Sequence, residues 1–431
     1  MPKKIAVIGG GFSGTMVIRQ LIDQGFKGTI DRFCLSNSQT LGPAYRLEST
    51  NLLLNVRSQN MSAFADKPNH FIEFLQERHP GISHPNEFVP RSIYGHYLTA
   101  IWEETQILAA QSNTLLQIIE DKTPDFNVYD ALVLATGNEL PRFPKQLPIK
   151  LNDSPFYHGN PWSISFDRIH NKLPIFILGN GLTMVDAVIS LRAAGFQQKI
   201  IALSTHGFQM LSHPKIKLGK SDEKSPDETD LLSLLHFFNV HRKELSFPQF
   251  LNCVDSFRPI FPTWWMGFTL QEKTIFLSRL RHIWGTIRHR IPIEIDQIIQ
   301  NERETGRLVV CAGKLVNAVE NENTLNLKYR SEEEEIQESV ACIINCTGPE
   351  TAITRMKNPV IQELYERKWI SPDDLDQGIK INTNHHIALG KAPIPIFAIG
   401  NLCKGTFWES TAIGELRSQS KLIAKGILDI N

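Results

Sequence analysis

Short apolar runs closed by glycine dominate the hydrophobic pattern of this chain. Ile5-Ala6-Val7-Ile8 is apolar throughout, ends at Gly9-Gly10-Gly11, and leads into a helical repeat at Met16, Val17, Leu21 and Ile22. A run without polar alternation predicts a strand buried on both faces, and its glycine exit into a helix predicts a parallel βαβ unit. The same order returns at Ile175-Phe176-Ile177-Leu178, followed by Gly179-Asn180-Gly181 and a repeat through Val185, Val188, Ile189 and Leu191. It closes on a second strand, Ile200-Ile201-Ala202-Leu203. Two such units predict an α/β protein with two Rossmann-type dinucleotide-binding domains and two nucleotide sites.

Two more apolar runs, Ala131 to Gly137 and Ala341 to Gly348, end in Thr-Gly and are followed by Pro141 and Pro349. Proline there marks the chain leaving a sheet. Taken as the crossings between domains, they insert the second unit into the first. The expected division is residues 1–145, then 146–335, then 336–431 returning to the first domain. From about 207 to 292 the pattern is helical, aromatic and basic, and too long for a loop, which predicts a helical subdomain over the cleft. Arg307 to Val310, Leu315 to Val319 and Leu325 to Tyr329 read as short strands of a meander, and Glu332 to Glu335 as a solvated turn.

A length of 431 residues exceeds what one core fills. Apolar residues at 42% and charged residues at 21% suit a globular enzyme. Lys+Arg and Asp+Glu are balanced at 45 each, so net charge supports neither nucleic acid nor an anionic membrane as partner. No apolar run approaches the roughly 20 residues of a membrane span. The N-terminus lacks the pattern of a secretory leader, which places the expected location in the cytoplasm. The six cysteines form no C-x-x-C pair, which argues against a zinc site or a dithiol reductase; Cys342 and Cys346, inside an apolar run, read as buried thiols. No hydrolase or kinase motif is present, and no metal site is expected.

Gly9-Gly10-Gly11-Phe12-Ser13-Gly14 fits G-x-G-x-x-G between a strand and a helix. Gly9 permits the tight turn, Gly11 lets backbone approach a diphosphate, and Gly14 lets the helix pack on its strand. The helix N-terminus, through Phe12 and Ser13, offers N–H donors and a positive dipole end. The acidic residue that normally binds ribose after the second strand is missing. Ser36 or Asn37 must make a neutral bond instead.

Beyond these glycines, Leu41-Gly42-Pro43-Ala44-Tyr45, Asn51-Leu52-Leu53-Leu54-Asn55-Val56 and Met61-Ser62-Ala63-Phe64 resemble the bacterial FAD/NAD(P)-binding protein family. They are more distantly similar to flavin-containing monooxygenases, whose flavin-side loop carries an Asn followed by Met and Phe. By that resemblance Asn55, Met61 and Phe64 take those places, with Asn55 near the flavin ring; from the residues alone, Asn55 is equally a turn former at a strand end. Gly179-Asn180-Gly181-Leu182-Thr183-Met184 resembles the family's second motif, with Met184 in the third glycine position. The following strand ends Ser204-Thr205-His206-Gly207, without the Arg that would clamp a 2′-phosphate or the acid that would bind a free 2′-hydroxyl. His206 or Lys215, Lys217 and Lys220 remain as sources of positive charge, so NADP and NAD both stay open.

Phe397-Ala398-Ile399-Gly400-Asn401 resembles the late strand of FAD oxidoreductases, with Asn401 where an Asp usually holds the ribityl chain. Gly405-Thr406-Phe407-Trp408-Glu409-Ser410-Thr411-Ala412 is similar to the family's tryptophan-glutamate signature. A helix starting near Thr411 and Ala412 would aim its positive end at the flavin. Thr136 and Gly137 join Gly179, Gly181, Leu182, Thr183 and Gly400 as expected cofactor contacts, and Asn55 and Trp408 are the expected catalytic residues. Arg281 and Arg288, seven apart on a basic helix, either bind a phosphate or acidic substrate or form a solvated face. The resemblance implies an FAD-dependent oxidoreductase of monooxygenase-like type, reduced by a nicotinamide nucleotide and acting on a small organic molecule. A plain flavin reductase or dehydrogenase and a non-catalytic FAD-binding sensor share these motifs.

Overall fold

The computed structural model describes residues 3–34, 42–45, 51–164, 166, 169, 172–214, 229–383 and 386–430. Ser36, Asn37, Lys215, Lys217 and Lys220 lie outside these residues. Two sheets organise the chain. The first has the order β12-β4-β1-β2-β3. It comprises β1 (Lys3–Ile8), β2 (Gly28–Cys34), β3 (Thr114–Glu120), β4 (Ala131–Leu134) and β12 (Ile396–Ala398), all parallel. Residues Ile5 to Val7 and Ala131 to Leu134 are fully buried, as a sheet covered on both faces requires. Helices Phe12–Asp23, Arg91–Gln111 and Ile413–Leu428 cover one face, and helix Pro359–Glu366 covers the other.

The second sheet has the order β10-β9-β8-β7-β6-β11-β5. Its strands are β5 (Tyr157–His158), β6 (Ile175–Leu178), β7 (Ile200–Ser204), β8 (Leu308–Glu320), β9 (Leu325–Ser331), β10 (Glu334–Val340) and β11 (Cys342–Asn345). Strands β5 to β8 and β11 pair in parallel, and β8, β9 and β10 form an antiparallel edge. The expected pair of strands at 307–310 and 315–319 is a single strand, β8. Its first half pairs with β7 and its second half with β9, and the β9 ladder is itself interrupted by a bulge between Leu315 and Asn317. Glu332 and Glu333 both have positive φ, at 49° and 68°, and turn the chain tightly from β9 into β10. Because β10 and β11 belong to the second sheet, the expected boundary at 336 falls inside it.

In each sheet the βαβ strands run outward on one side of the glycine strand, and the later Thr-Gly strand lies on the other. The strand order therefore reverses between β1 and β4, and again between β6 and β11. Ligands of open α/β sheets sit at such switch points, beyond the carboxyl ends of the strands. Gly9 (φ 125°) and Gly179 (φ 95°) occupy these two places.

Helices Leu231–Glu244, Phe247–Ser256, Phe261–Gly267 and Arg281–Arg288 form the helical insert. Its core is aromatic, built from Phe237, Phe250, Phe257, Phe261, Trp264, Trp265, Phe276 and Trp284. Trp264 and Trp265 are packed into this core, at 4% and 0% exposed. Six free cysteines are present, with Cys342 and Cys346 buried. No helix among the described residues is long and apolar enough to cross a membrane.

His386 is 2% exposed behind β12, and burial pushes its imidazole down to about 4. The unfolded chain takes up this proton near pH 6.5 while the native state resists it, so stability falls as pH drops through that window. By pH 5 the single residue accounts for about 2 kcal/mol. Urea titrations at pH 7 and pH 5 should show a smaller acid loss in His386→Leu than in the wild type, and equal losses would refute the assignment.

Candidate functional site

The first glycine loop divides its labour as its spacing suggests. A Cβ on Gly9 would lie 2.1 Å from the Ala135 carbonyl oxygen, and one on Gly14 would lie 2.0 Å from that of Gly9. Packing of β1, β4 and the helix demands both. A Cβ on Gly11 would meet only the Gly42 backbone among the described residues, Cα at 3.7 Å and N at 3.9 Å. Gly11 is the N-cap of helix Phe12–Asp23, which has no side-chain cap and no acidic residue in its first turn. Its first N–H groups are available to an anion.

The chain returns to this loop from its C-terminal end. Gly400 has φ 78°, its Cβ position lies 4.0 Å from Ser13 Oγ, and its N–H donates to Gln419 Oε1 at 3.0 Å. Asn401 Nδ2 and Ser410 Oγ are buried without a hydrogen-bond partner among the described residues. Orphaned polar atoms of this kind are costly unless a ligand pairs with them. The uncapped helix, the open approach at Gly11 and these two atoms fit a long cofactor carrying a diphosphate and a polar chain, as FAD does. Thr136 and Gly137 (φ 73°) follow β4 at the same sheet edge. Ala412 caps helix Ile413–Leu428, and Thr411 is exposed beside it.

Asn55 lies in a bend after the bridge between Leu53 and Pro90. Its carbonyl accepts from His213 Nε2 at 2.9 Å, and its side-chain amide makes no hydrogen bond among the described residues. Met61 and Phe64 are 3% and 1% exposed and belong to the first unit's core.

One contributor had escaped the sequence reading. Arg32, opposite Val7 in β2, is 1% exposed; it donates to the Gly10 carbonyl and stacks on Trp102, with its guanidinium carbon 3.8 Å from the ring centroid. Burial holds its pKa down at about 10, still charged at neutral pH. The signal was there in two charged residues, Asp31 and Arg32, side by side in a strand buried from Ile30 to Phe33.

Trp408 has φ 57° and ψ −62°, and Glu409 N–H donates back to the Phe407 carbonyl at 2.7 Å. This three-residue γ-turn is strained by about 1–3 kcal/mol and persists only where its surroundings hold it. They do: the Trp408 ring lies 5.1 Å from Trp265 and 5.3 Å from Phe276, with Lys404 Nζ 4.6 Å from its centroid. Glu409 Oε1 accepts from Trp284 Nε1 at 3.0 Å and lies 3.8 Å from Arg288 Nε. Burial pushes the Glu409 carboxyl up, but Arg288, His289, the Trp284 N–H and Arg258 outweigh it and hold it below the ordinary range. Arg258 and Glu415 add a bidentate pair at 2.8 and 2.9 Å. The insert is thereby fastened to the C-terminal segment.

A cleft of about 680 Å³ opens on the second glycine unit. Gly179, Gly181, Leu182 and Thr183 line it, as do Ser204, Thr205 and His206 at the end of β7. Gly181 caps helix Leu182–Ala193 with φ −81° and ψ −164°, nearly the values of Gly11 at −82° and −166°. A Cβ on Gly181 would meet nothing within 4 Å. Met184, in the third glycine position, is buried against that unit's core. Helix Arg281–Arg288 forms the facing wall through Arg281, His282, Gly285 and Thr286. Arg281 and Arg288 therefore part company: Arg281 faces the cleft, whereas the Arg288 side chain is 10% exposed beside Glu409.

Two mononucleotide-type units with their glycine loops at the switch points of two sheets define a two-dinucleotide-binding fold. Residues 6–127 match the FAD-NAD(P)-binding family. The rat dimethylaniline monooxygenase [N-oxide-forming] 2 is 22% identical over 242 residues, which covers 49% of this chain and 42% of the relative. The matched segment thus spans less than half the length of that protein. Among solved structures, the ornithine N-hydroxylase of Kutzneria sp. 744, in its complex with reduced FAD, NADP+ and L-ornithine, superposes with a TM-score of 0.66 at 14% identity over 99% of both chains. The L-lysine 6-monooxygenase of Pseudomonas syringae follows at TM-score 0.63 and 14% identity, over 98% of each chain.

Proposed function

We propose that this protein is an FAD-dependent oxidoreductase of monooxygenase type. A nicotinamide nucleotide reduces the flavin, and one atom of dioxygen enters a small organic substrate while the other leaves as water. The observation that carries this reading is the pair of glycine loops at two switch points, one beside the orphaned Asn401 and Ser410 atoms and the other opening into the cleft. FAD, when bound, accepts the hydride and supplies the oxygen chemistry.

The chain's own residues position and enclose. Gly11 and the helix it caps hold the diphosphate, Arg32 supports the loop from beneath, and Asn401 and Ser410 pair with the polar middle of the cofactor. Asn55, whose amide is free, and Trp408, whose strained turn aims its ring, are the residues assigned to the reacting end. The aromatic insert excludes water from that end. We take the first domain as residues 1–145 with the segment after Asn345, and the second unit with its insert as lying between them. The six free thiols agree with action in the reducing cytoplasm.

Purified protein, reduced anaerobically with NADPH or NADH while flavin absorbance is followed, should bleach with both nucleotides present in excess. Mixed afterwards with ¹⁸O₂ and a panel of amines, sulfides and ketones, it should transfer label into one class of product. Bleaching followed by hydrogen peroxide alone, across the whole panel, would replace the monooxygenase reading with a reductase. No bleaching by either nucleotide would favour a sensor.

A further inference from the structure

Among the described residues, the end of β7 in the second glycine unit carries neither the acid nor the arginine that tells NADP from NAD. In such units the adenosine ribose sits at the end of the strand after the glycine helix, here β7, which ends at Ser204. An acid at that place accepts from the free 2′-hydroxyl of NAD, and an arginine pairs with the 2′-phosphate of NADP. No Asp or Glu is among the described residues lining the cleft, whereas Arg142, Lys145, Arg281 and Lys314 are.

The helical insert brings one of these cations to the end of β7. The His282 ring lies 5.0 Å from that of His206, which itself stacks on Phe208 at 5.3 Å. Arg281, next to His282, is exposed in the cleft. Its Nε donates to His282 Nε2 at 3.2 Å, and no carboxylate among the described residues pairs with it. That bond orients the guanidinium and leaves its two terminal nitrogens as a fork, the geometry that matches a phosphate. Four residues along the same helix face, a Cβ on Gly285 would meet nothing within 4 Å. With Gly181 equally open on the facing wall, backbone lines both sides of the path a nucleotide takes.

We propose that Arg281, oriented by His282, is the 2′-phosphate recognition residue of this cleft, so that the insert rather than the Rossmann unit makes the protein select NADPH over NADH. The proposal rests on the reading of the second glycine unit as the nicotinamide nucleotide site.

The test uses two fragments that need no flavin chemistry, 2′,5′-ADP and 5′-AMP, titrated into the full-length protein by calorimetry. A charge-assisted phosphate contact corresponds to roughly a 10- to 100-fold difference in affinity. The wild type should bind 2′,5′-ADP tighter than 5′-AMP by that factor. Arg281→Gln should remove the difference while leaving 5′-AMP affinity and FAD content unchanged. Arg279→Gln, at an exposed arginine outside the cleft, should change neither. Equal binding of the two fragments by the wild type, or a preference that survives Arg281→Gln, would overturn the inference and leave the nucleotide site standing. Binding of neither fragment by FAD-loaded protein would overturn the nucleotide site and this inference with it.

Discussion

Gly11→Val is expected to yield folded protein that has lost most of its FAD. The substitution separates folding from binding because the three loop glycines do different work. At Gly9 and Gly14 an added Cβ would strike a backbone carbonyl oxygen at 2.1 and 2.0 Å, so those variants should fail to fold. At Gly11 the added carbon meets only the Gly42 backbone among the described residues, at 3.7 and 3.9 Å, and φ is an ordinary −82°, so valine fits the protein itself. Its branches occupy the space above the helix N-terminus where the diphosphate must approach. Forcing a side chain into a filled contact costs about 1–3 kcal/mol or more, a loss of roughly 5- to 150-fold in affinity. Flavin absorbance per mole of purified protein, with circular dichroism to confirm folding, reads the result. Full flavin content in a folded Gly11→Val protein would remove the diphosphate from this loop.

Asp186→Ala is expected to cost about 3–5 kcal/mol of stability, more than any surface change in this chain. Arg91, at the start of helix Arg91–Gln111 in the first unit, meets Asp186 on helix Leu182–Ala193 of the second at 2.8 and 3.0 Å. Their side chains are 7% and 14% exposed. Burial holds the Asp186 carboxyl above the ordinary range despite its partner, which marks how much desolvation the pair bears. Removing the acid alone strands a guanidinium between the two units, where its remaining bond is from Nε to the Leu53 carbonyl. Replacing both members with apolar residues of similar volume, Arg91→Met with Asp186→Leu, should recover most of the loss. Guanidinium denaturation of the three proteins decides the matter. A single variant no weaker than the double would show that the pair carries no unpaired-charge penalty.

The glycine loops were legible because their signal is local. A strand, a tight turn and a helix N-terminus lie within a dozen consecutive residues, and backbone geometry at Gly9 and Gly179 leaves the sequence little choice. Arg281 was visible only as part of a basic helix, with no hint that it faced the end of β7 while Arg288 turned toward Glu409. Strand β8 was expected in two pieces because apolar alternation lapses through Ala312, Gly313 and Lys314. Continuity there comes from partners, β7 on one half and β9 on the other, and pairing outweighs local propensity in a sheet. Residue 336 lies within β10 of the second sheet for the same reason, since strand membership is a property of neighbours.

By itself, then, the sequence determined the two βαβ units, the glycines that each must keep and the aromatic composition of the insert, all of which follow from periodicity and short-range backbone sterics. Tertiary structure decided which polar atoms are buried without partners, which arginine enters the cleft, and that Trp408 is held in a strained turn by Trp265 and Phe276. Those features arise where segments distant in the chain meet, and burial and charge pairing at such meetings depend on positions that no local pattern encodes.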